Sequence, residues 1–485
     1  MNHEKPGGSE SEEAARQSGR LITWLDQRTG IRNLLHEALD EPIPGGARFA
    51  YVFGSALLFI FLSQVITGVF LALYYVPSAD HAHITVEYII KEVSAGSFLR
   101  SIHAYGSSAL VLLLLLHITQ TFLYGAYKGR RELLWLSGCV LLTLFLGMAF
   151  TGYLLPWDQK AYFATAVGTN IATEVPLIGD FLKKMLRGGS EMGTLTVSRF
   201  FVAHVFLIPG LIFAVFGAHI YLFRKAGAAG PVQEDPVRPR MTPQPFYPRQ
   251  VLYDLAFSAA LLVVLGLLAH YLPFDLGPKA DSSDAQYIPR PEWFYLPMFQ
   301  WLKYWSSSRA IIGVVVIPSV IALLFALTPF LDRKLERRPW RRPVSVGLYS
   351  LTLLGLAALG LISYRTDRGD PAVVRQLARQ EKATAEFMAS KFEPEDSSRI
   401  AASPLDPELE LGKGVFSRSA CDACHGPDGG GTAAGSKLKG LGKSQDQIKL
   451  LLLSPTKMML AGGMSPVRLP DHDLAALSAY VASLK

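Results

Sequence analysis

Four histidines lie in two apolar stretches of this 485-residue sequence, at nearly equal intervals. His103 and His117 are 14 residues apart in one stretch, and His204 and His219 are 15 apart in another. Fourteen residues make almost four helical turns, so the first pair would lie about 21 Å apart on nearly one face, and the second pair would be twisted by about 60°. Two facing helices would bring the imidazoles together as two stacked pairs. Each pair could bind one haem iron from both sides, because neutral imidazole is a common iron ligand.

Glycines recur at the same interval in two further apolar stretches. Gly54 and Gly68 are 14 residues apart, as are Gly138 and Gly152. A flat porphyrin needs a close approach of the backbone, which glycine permits. Small residues also serve ordinary helix packing in membranes, and a single intramembrane histidine often lines a polar cavity. The shared interval in all four stretches favours two non-covalent b haems over these alternatives.

The sequence CDACH, from Cys421 to His425, has the CxxCH pattern of covalent haem attachment. In that pattern two thiols, here Cys421 and Cys424, bond the porphyrin edge and the adjacent histidine ligates iron. A redox-active or zinc-binding CxxC is the alternative. The histidine and the glycine-rich GPDGGG that follow favour one covalent c haem.

A thioether about 40 residues downstream should supply the sixth iron ligand of this haem. Met464, in GGMSP before the last predicted helix, is the candidate, with Met458 and Met459 as alternatives. Ligation by Met and His raises the reduction potential, which suits a terminal acceptor. Residues 406–485 are therefore predicted to form a small all-α, class I-like cytochrome c domain.

The composition indicates an all-α membrane protein. Half of the residues are hydrophobic and the mean hydropathy is positive. Several apolar runs are long enough to cross a bilayer. We predict seven spans, near residues 50–75, 100–124, 133–154, 199–223, 250–271, 309–331 and 344–364.

The net charge of +7 would suit a nucleic-acid-binding protein, but the basic residues cluster in particular loops, such as DRKLERRPWRRP at 332–343. The positive-inside rule places these loops and the N-terminus in the cytoplasm, and seven spans then place the C-terminus outside. We expect a bacterial inner-membrane protein with a periplasmic cytochrome c domain and no nucleic-acid partner. The expected division is 1–45 cytoplasmic segment, 46–230 four-helix di-haem domain, 231–365 three-helix domain, 366–405 linker and 406–485 cytochrome c domain.

Two loop motifs supply candidate groups for proton chemistry on the outer side. PEWF, at 291–294, lies between the fifth and sixth predicted spans, and TGYLLPWDQ, at 151–159, lies where the third span ends. Oxidation of a quinol releases two protons, so a carboxylate near the outer haem would help as a base. Glu292 is the candidate base, and Tyr153 could line the same pocket. An interfacial tryptophan beside a solvated acid is the alternative for PEWF.

Together these motifs resemble cytochrome b of the cytochrome bc and bf complexes. LRSIH, TGYLLPWDQ, VPLIGDFLKKMLRGG, SRFFVAHVFLIP, FRKAGAAGP and PEWF follow the order of that family over about residues 28–365. The seven spans and the 15-residue interval resemble the plastid-type branch, with its two polypeptides joined here, whereas HAYG at 103–106 resembles the mitochondrial and proteobacterial branch. Val52 stands where the plastid-type protein has a haem-binding cysteine, so a third membrane haem is not expected.

The resemblance implies roles for individual residues. His103 and His204 would bind the outer, low-potential haem, and His117 and His219 the inner, high-potential haem. Arg100 would pair with a haem propionate, and Glu292 and Tyr153 would belong to the quinol-oxidation site. The inner quinone-reduction site would include Arg224, Lys225 and Asp254.

The resemblance also implies an activity and partners. A quinol:cytochrome c oxidoreductase of this family oxidises quinol at the outer face, passes one electron to a separate Rieske iron–sulfur protein, and sends the other through both b haems to an inner-face quinone. The fused module would receive the Rieske electron and pass it to a cytochrome c or terminal oxidase. A homodimer within a larger complex is expected. The alternatives are a di-haem anchor that links a periplasmic dehydrogenase to the quinone pool, and a histidine-lined ion transporter.

Overall fold

The computed structural model describes residues 23–31, 39–230, 232, 243–284, 286–305, 309–393, 407–432, 435–461 and 463–484. The chain divides between Phe392 and Glu393 into two compact units. Most of the predicted N-terminal segment, residues 1–45, lies outside the described residues, as do residues 394–405 of the predicted linker.

The first unit is a helical bundle, as predicted. In the described ranges, six helices are long and apolar enough to cross a membrane. They are α1 (Val52–Ala72), α3 (Gly96–Leu123), α4 (Glu132–Leu154), α7 (Thr194–Ala226), α8 (Arg249–Tyr271) and α12 (Pro343–Gly369). Shorter helices in the loops are α2 (Ala82–Lys91), α5 (Gln159–Ile171), α6 (Gly179–Arg187) and α9 (Leu296–Leu302). A two-residue antiparallel ladder joins β1 (Pro42–Ile43) to β2 (Gln244–Pro245).

The predicted sixth span, residues 309–331, is interrupted. It contains an apolar helix, α10 (Ile312–Ala326), and a single turn, α11 (Thr328–Leu331), separated at Leu327. Proline lacks an amide hydrogen and clashes with the preceding turn, so Pro329 prevents one continuous helix here. This segment is therefore shorter than the six long helices, although its composition is equally apolar.

An apolar core lies midway along the bundle, where α1, α3, α4 and α7 meet. Phe61, Leu110 and Phe145 are buried there, and the rings of Phe61 and Phe145 meet edge to face at 5.4 Å. Each of these three residues lies midway between the two paired residues of its own helix, seven positions from each. The pairs are the two glycines on α1, the two histidines on α3 and the two glycines on α4. The core therefore separates two levels of the bundle that carry the histidines.

The segment that follows the last span begins with a helix. Residues 371–389 form a further helix, α13 (Pro371–Ala389), which belongs to the first unit. Its N-terminus is capped by Asp370, whose carboxylate accepts a hydrogen bond from the amide of Ala372. The expected linker of 366–405 thus begins with residues that pack on the membrane unit.

The second unit is a small helical module. Its helices are α14 (Pro407–Arg418), α15 (Cys421–His425), α16 (Gln445–Leu453), α17 (Lys457–Ala461) and α18 (Asp471–Ser483). Phe416 and Leu477 are buried in its core, and the rings of Phe416 and Tyr480 meet at 5.5 Å. This core joins the first and last helices of the module around the haem-attachment motif.

Candidate redox sites and quinol cavity

The first histidine layer consists of His103 on α3 and His204 on α7. Their ring centroids are 6.2 Å apart, and their planes are inclined by 78°. Metal–imidazole bonds are about 2 Å long, so two imidazoles on opposite sides of one metal ion leave ring centroids roughly 6 Å apart. The observed separation fits a haem iron between the two rings.

The second layer consists of His117 on α3 and His219 on α7, and α7 contains a distortion that aligns its two histidines. Residues Ala203–Leu207 form a wide π-helical turn inside this otherwise α-helical span. Such a turn accommodates one additional residue. One additional residue is the difference between the 15-residue interval on α7 and the 14-residue interval on α3, so this turn would offset the twist of about 60° expected from an ideal helix.

Each predicted glycine faces one of the four histidines. A Cβ atom would lie 3.1 Å from His103 Cε1 at Gly68, 3.7 Å from His117 Cε1 at Gly54 and 3.5 Å from His219 Cε1 at Gly138, and at Gly152 it would overlap the ring of His204. The pairing joins α1 to α3 and α4 to α7. At the first histidine level the close approach leaves little room for a side chain at Gly68 and none at Gly152, whereas a Cβ atom at Gly54 or Gly138 would make an ordinary van der Waals contact.

Three histidines are oriented by a hydroxyl group that sequence reasoning missed. Thr67 Oγ1 lies 2.9 Å from Nδ1 of His103, Ser137 Oγ lies 2.8 Å from Nδ1 of His219, and Thr151 Oγ1 lies 3.3 Å from Nδ1 of His204. Each hydroxyl donates its own hydrogen to a backbone carbonyl within its helix, so it can accept from Nδ1–H of the histidine. Nδ1 of His204 also lies 3.0 Å from the carbonyl of Met148, which can only accept. This leaves Nε2 of each ring free to bind a metal.

These hydroxyl residues directly precede three of the four glycines, which is a signal that the sequence contained. The fourth glycine, Gly54, follows Phe53, and His117 Nδ1 has no hydrogen-bond partner among the described residues. The paired imidazoles, the free Nε2 atoms and the open glycine faces fit two bis-histidine haems.

A cavity of about 970 Å³ extends from the first histidine layer toward the PEWF loop. His103, His204, Tyr153 and Glu292 all line it, so the structure brings the candidate outer haem ligands and the candidate quinol-site residues together. The hydroxyl of Tyr153 donates to the carbonyl of Arg290, 3.4 Å away. Tyr287 also lines this cavity, and burial raises the pKa of its hydroxyl.

Lys160 is a further residue of this cavity that sequence reasoning missed. Its Nζ lies 2.7 Å from Oε1 of Glu292 and 5.5 Å from the ring centroid of Tyr153. Asp158 places it by capping α5, because its carboxylate accepts a hydrogen bond from the amide of Ala161. Lys160 directly follows the motif TGYLLPWDQ, and this position was the feature of the sequence that could have indicated its place in the cavity.

Arg100 lines the cavity next to His103 and anchors the loop after α8. Its guanidinium donates hydrogen bonds to the carbonyl of Phe274 at 2.5 Å and to that of Asp275 at 3.0 Å. Asp158 fixes the same loop, because it accepts a hydrogen bond from the amide of Gly277. A role of Arg100 toward a haem propionate remains a prediction.

The residues predicted for an inner quinone site make separate local contacts in the described structure. Asp254 is buried, and its carboxylate accepts hydrogen bonds from Ser55 Oγ at 2.8 Å and Gln250 Nε2 at 2.9 Å. Arg224 and Lys225 are exposed at the end of α7, and Lys225 lies over the ring of Tyr221. The three residues stay candidates for that site on the resemblance alone.

The second unit presents the residues of a c-type haem site. His425 Nδ1 lies 2.7 Å from the carbonyl of Ser436, which leaves Nε2 free for iron. Burial raises the pKa of the Cys421 thiol, whereas Cys424 is exposed. Cys421 and Met464 both pack against the core of the module. Two thiols and one free imidazole nitrogen fit covalent haem attachment, with Met464 as the candidate sixth ligand; the Met458 side chain lies outside the described residues.

Comparison with known proteins agrees with this geometry. Three family models match the chain: "Cytochrome b/b6/petB" over residues 38–227, "Cytochrome b(C-terminal)/b6/petD" over residues 280–379, and "Cytochrome c" over residues 409–485. These matches and the paired histidines define a membrane cytochrome, an electron-transport oxidoreductase.

Relatives identify the family. The chain is 34% identical to the cytochrome bc complex cytochrome b subunit of Chlorobaculum thiosulfatiphilum, over 71% of this chain and 79% of the relative. It is 38% identical to the menaquinol:cytochrome c reductase cytochrome b subunit of Geobacillus thermodenitrificans, over 44% of this chain and 99% of the relative. A solved chain of a hyperthermophilic respiratory Complex III superposes with a TM-score of 0.61 and 28% identity, over 76% of this chain and all of that chain. The chain belongs to the cytochrome b family, with both cytochrome b domains and a cytochrome c domain in one polypeptide.

Proposed function

We propose that this chain is the cytochrome b–c subunit of a quinol:cytochrome c oxidoreductase that operates a Q cycle. Quinol is oxidised at the outer face, and its two electrons separate. One passes to a Rieske iron–sulfur partner and on to a cytochrome c, and the other crosses the membrane to a quinone at the inner face. Two b haems and one c haem, when bound, supply the one-electron carriers along these routes.

The observation that carries this proposal is the shared cavity of His103, His204, Tyr153 and Glu292. A quinol in the part of this cavity near the PEWF loop would lie next to a candidate base, and the haem held by the first histidine layer would occupy another part of the same cavity. A simple di-haem anchor would need the histidines but not a carboxylate on the PEWF loop. The combination therefore favours quinol oxidation at this level of the bundle.

Glu292 is the proposed base for a quinol hydroxyl. Lys160 occupies its Oε1 atom, so Oε2 is the atom left to accept the proton. Tyr153 would contribute a hydroxyl to the same wall, where its ring also contacts the Lys160 ammonium. These side chains bind and orient the substrate, and the carboxylate then takes a proton toward the outer surface.

Localisation and partners follow from the same proposal. The chain would sit in a bacterial cytoplasmic membrane with its cytochrome c module on the periplasmic side, in a homodimeric complex with a Rieske protein. The module would accept the electron that leaves the Rieske centre and deliver it to a soluble carrier or terminal oxidase. The inner quinone site would include Asp254 together with Arg224 and Lys225.

The test is a haem count followed by quinol reduction of the purified complex. Pyridine haemochromogen spectra should show two b haems for each c haem, and a menaquinol or ubiquinol analogue should reduce both types. Glu292→Gln should abolish most quinol oxidation while the haem content stays unchanged. A complex without b haem, or a c haem that stays oxidised after quinol addition, would contradict the proposal.

A further inference from the structure

The helix after the last span, α13, packs on the first unit through one side. Its less exposed positions recur at helical spacing and include Val373, Gln376, Leu377, Gln380, Thr384 and Met388. Such a stripe is typical of a helix that lies against a protein surface. The polar side chains within this stripe therefore face the first unit.

Contacts with the helix α2 and with the loop after α8 hold the C-terminal end of α13. The ring of Phe387 lies 5.1 Å from that of His83, and the ammonium of Lys91 donates to the carbonyl of Phe387 at 2.9 Å. The sulfur of Met388 accepts a hydrogen bond from the amide of Leu276, in the loop that Arg100 also anchors. This end of the helix is thus tied to α2 and to the loop after α8.

The PEWF loop is held by the same C-terminal region. Arg290, the residue before PEWF, forms a bidentate ion pair with Asp367 at the end of α12, with distances of 2.6 Å from Nε and 2.5 Å from Nη2. Two parallel N–H···O bonds fix direction as well as distance. Gln380 on α13 donates to the carbonyl of Ile288 at 3.5 Å. The loop that carries Glu292 therefore rests on residues that follow the last span.

The stripe of α13 reaches the cavity itself. Gln376, Gln380 and Thr384 line the same cavity as Tyr153 and Glu292. Thr384 also packs closely, because a Cβ atom at Gly277 would lie 3.6 Å from its Oγ1. The same helix also contributes Arg379 and Glu381 to the lining. The amide and hydroxyl groups of Gln376, Gln380 and Thr384 are uncharged and can donate to or accept from the oxygen atoms of a neutral substrate.

We propose that α13 is a wall of the quinol-oxidation site and that Gln376, Gln380 and Thr384 position the quinol in it. The inference rests on the proposed function, since it assigns a further part of the same site. The segment that leads to the cytochrome c module is then part of the substrate site as well as a connection. Asp367 acts as a positioning residue, because it holds the PEWF loop through Arg290.

The test is a bulky substitution on each side of α13 in the full-length complex. Thr384→Trp would place a bulky ring in the cavity, and Lys382→Trp is the matched control, because the Lys382 side chain is 77% exposed. The added ring would compete with the substrate for space, and overpacking is unfavourable. Thr384→Trp should therefore raise KM for a decyl-quinol analogue about ten-fold, with a smaller change in kcat. Equilibrium binding of the oxidised decyl-quinone should weaken by a similar factor, whereas the control should match the wild type in both measurements.

Haem content separates this effect from misfolding. Both b haems and the c haem should be retained in Thr384→Trp; if they are lost, the double substitution Gln376→Leu and Gln380→Leu provides the same KM and binding measurements. Normal KM and normal quinone binding in a haem-replete cavity variant would overturn the inference. If the wild type itself fails to oxidise quinol, the proposed function fails first.

The ion pair gives an independent measurement. Asp367→Arg and Arg290→Glu should each lower kcat for quinol oxidation, and the double exchange should restore it, because the pair is re-formed with reversed charges. If the double variant retains its haems but recovers no activity, Asp367 does not act as a positioning residue.

Discussion

Lys160 Nζ lies 2.7 Å from Glu292 Oε1, so the proposed base is held by a cation 132 positions away in sequence. The Lys160 side chain is 40% exposed and that of Glu292 is 22% exposed. Solvent therefore screens this pair, and its main consequence is geometric: one carboxylate oxygen is occupied, and the other is left for substrate.

The first prediction concerns this pair. Lys160→Met should lower kcat for quinol oxidation about five-fold, because an unheld carboxylate spends less time in the reactive orientation. Lys160→Arg should retain most activity, since a guanidinium can also donate to Oε1. Lys184→Met, on an exposed face of α6, is the control. Unchanged turnover in Lys160→Met would show that Glu292 needs no such partner.

Gly152 should be essential for the first histidine layer. Any Cβ atom there would overlap the ring of His204, so Gly152→Ala should displace this ligand and remove about half of the b-haem absorbance. Gly210→Ala on α7 is the control, because a Cβ atom at that position would meet no other atom within 4 Å among the described residues. Optical difference spectra of purified membranes give the measurement, and equal b-haem content in both variants would refute the assignment.

The hydroxyl of Ser137 should tune the haem of the second layer. Removing an acceptor from Nδ1–H makes the imidazole a poorer donor to oxidised iron, so Ser137→Ala should raise the midpoint potential. A neutral hydrogen bond contributes about 0.5–1.5 kcal/mol, which corresponds to about 20–60 mV for one electron. Ser137→Thr should keep the wild-type value in a spectroscopic redox titration. A lowered potential in Ser137→Ala would contradict this account.

Acid should loosen α13. Burial lowers the pKa of His83 from its ordinary value of 6.5, against the opposing effects of the Gly277 carbonyl, Asp158 and Glu87 and with a small contribution from Lys279. When α13 detaches, His83 becomes hydrated and binds a proton more readily, so the packed state loses stability as the pH falls below about 6.5. Hydrogen exchange of residues 371–389, corrected for its intrinsic pH dependence, should accelerate from pH 7.5 to pH 5.5. His83→Leu should remove most of that acceleration.

Met464 should be the sixth ligand in the second unit. It packs on the same core as Cys421, whereas Met459 does not belong to that core in the described residues. Met464→Leu should lower the midpoint potential of the c haem and abolish its methionine-ligated spectrum, because Met/His ligation raises the potential. Met459→Leu should leave both unchanged, and the opposite result would transfer the role to Met459.

Much of this protein could be predicted from local patterns in its sequence. The histidine and glycine intervals, CDACH and the apolar runs depend on helical periodicity and on length, which are properties of a continuous stretch of chain. They determined the all-α class, the two histidine-bearing helices, and the separation of a membrane unit from a cytochrome c unit, whereas the pairing of His103 with His204 came from the resemblance to cytochrome b.

The tertiary structure decided which distant side chains meet. Lys160 reaches Glu292, Arg290 reaches Asp367, and α13 returns to the cavity, although a charged, weakly apolar stretch looked like a tether. The π-helical turn that contains His204 is likewise a feature that ideal helical geometry does not predict. Contacts between remote segments depend on how the whole bundle packs, and neither residue type nor local spacing carries that information.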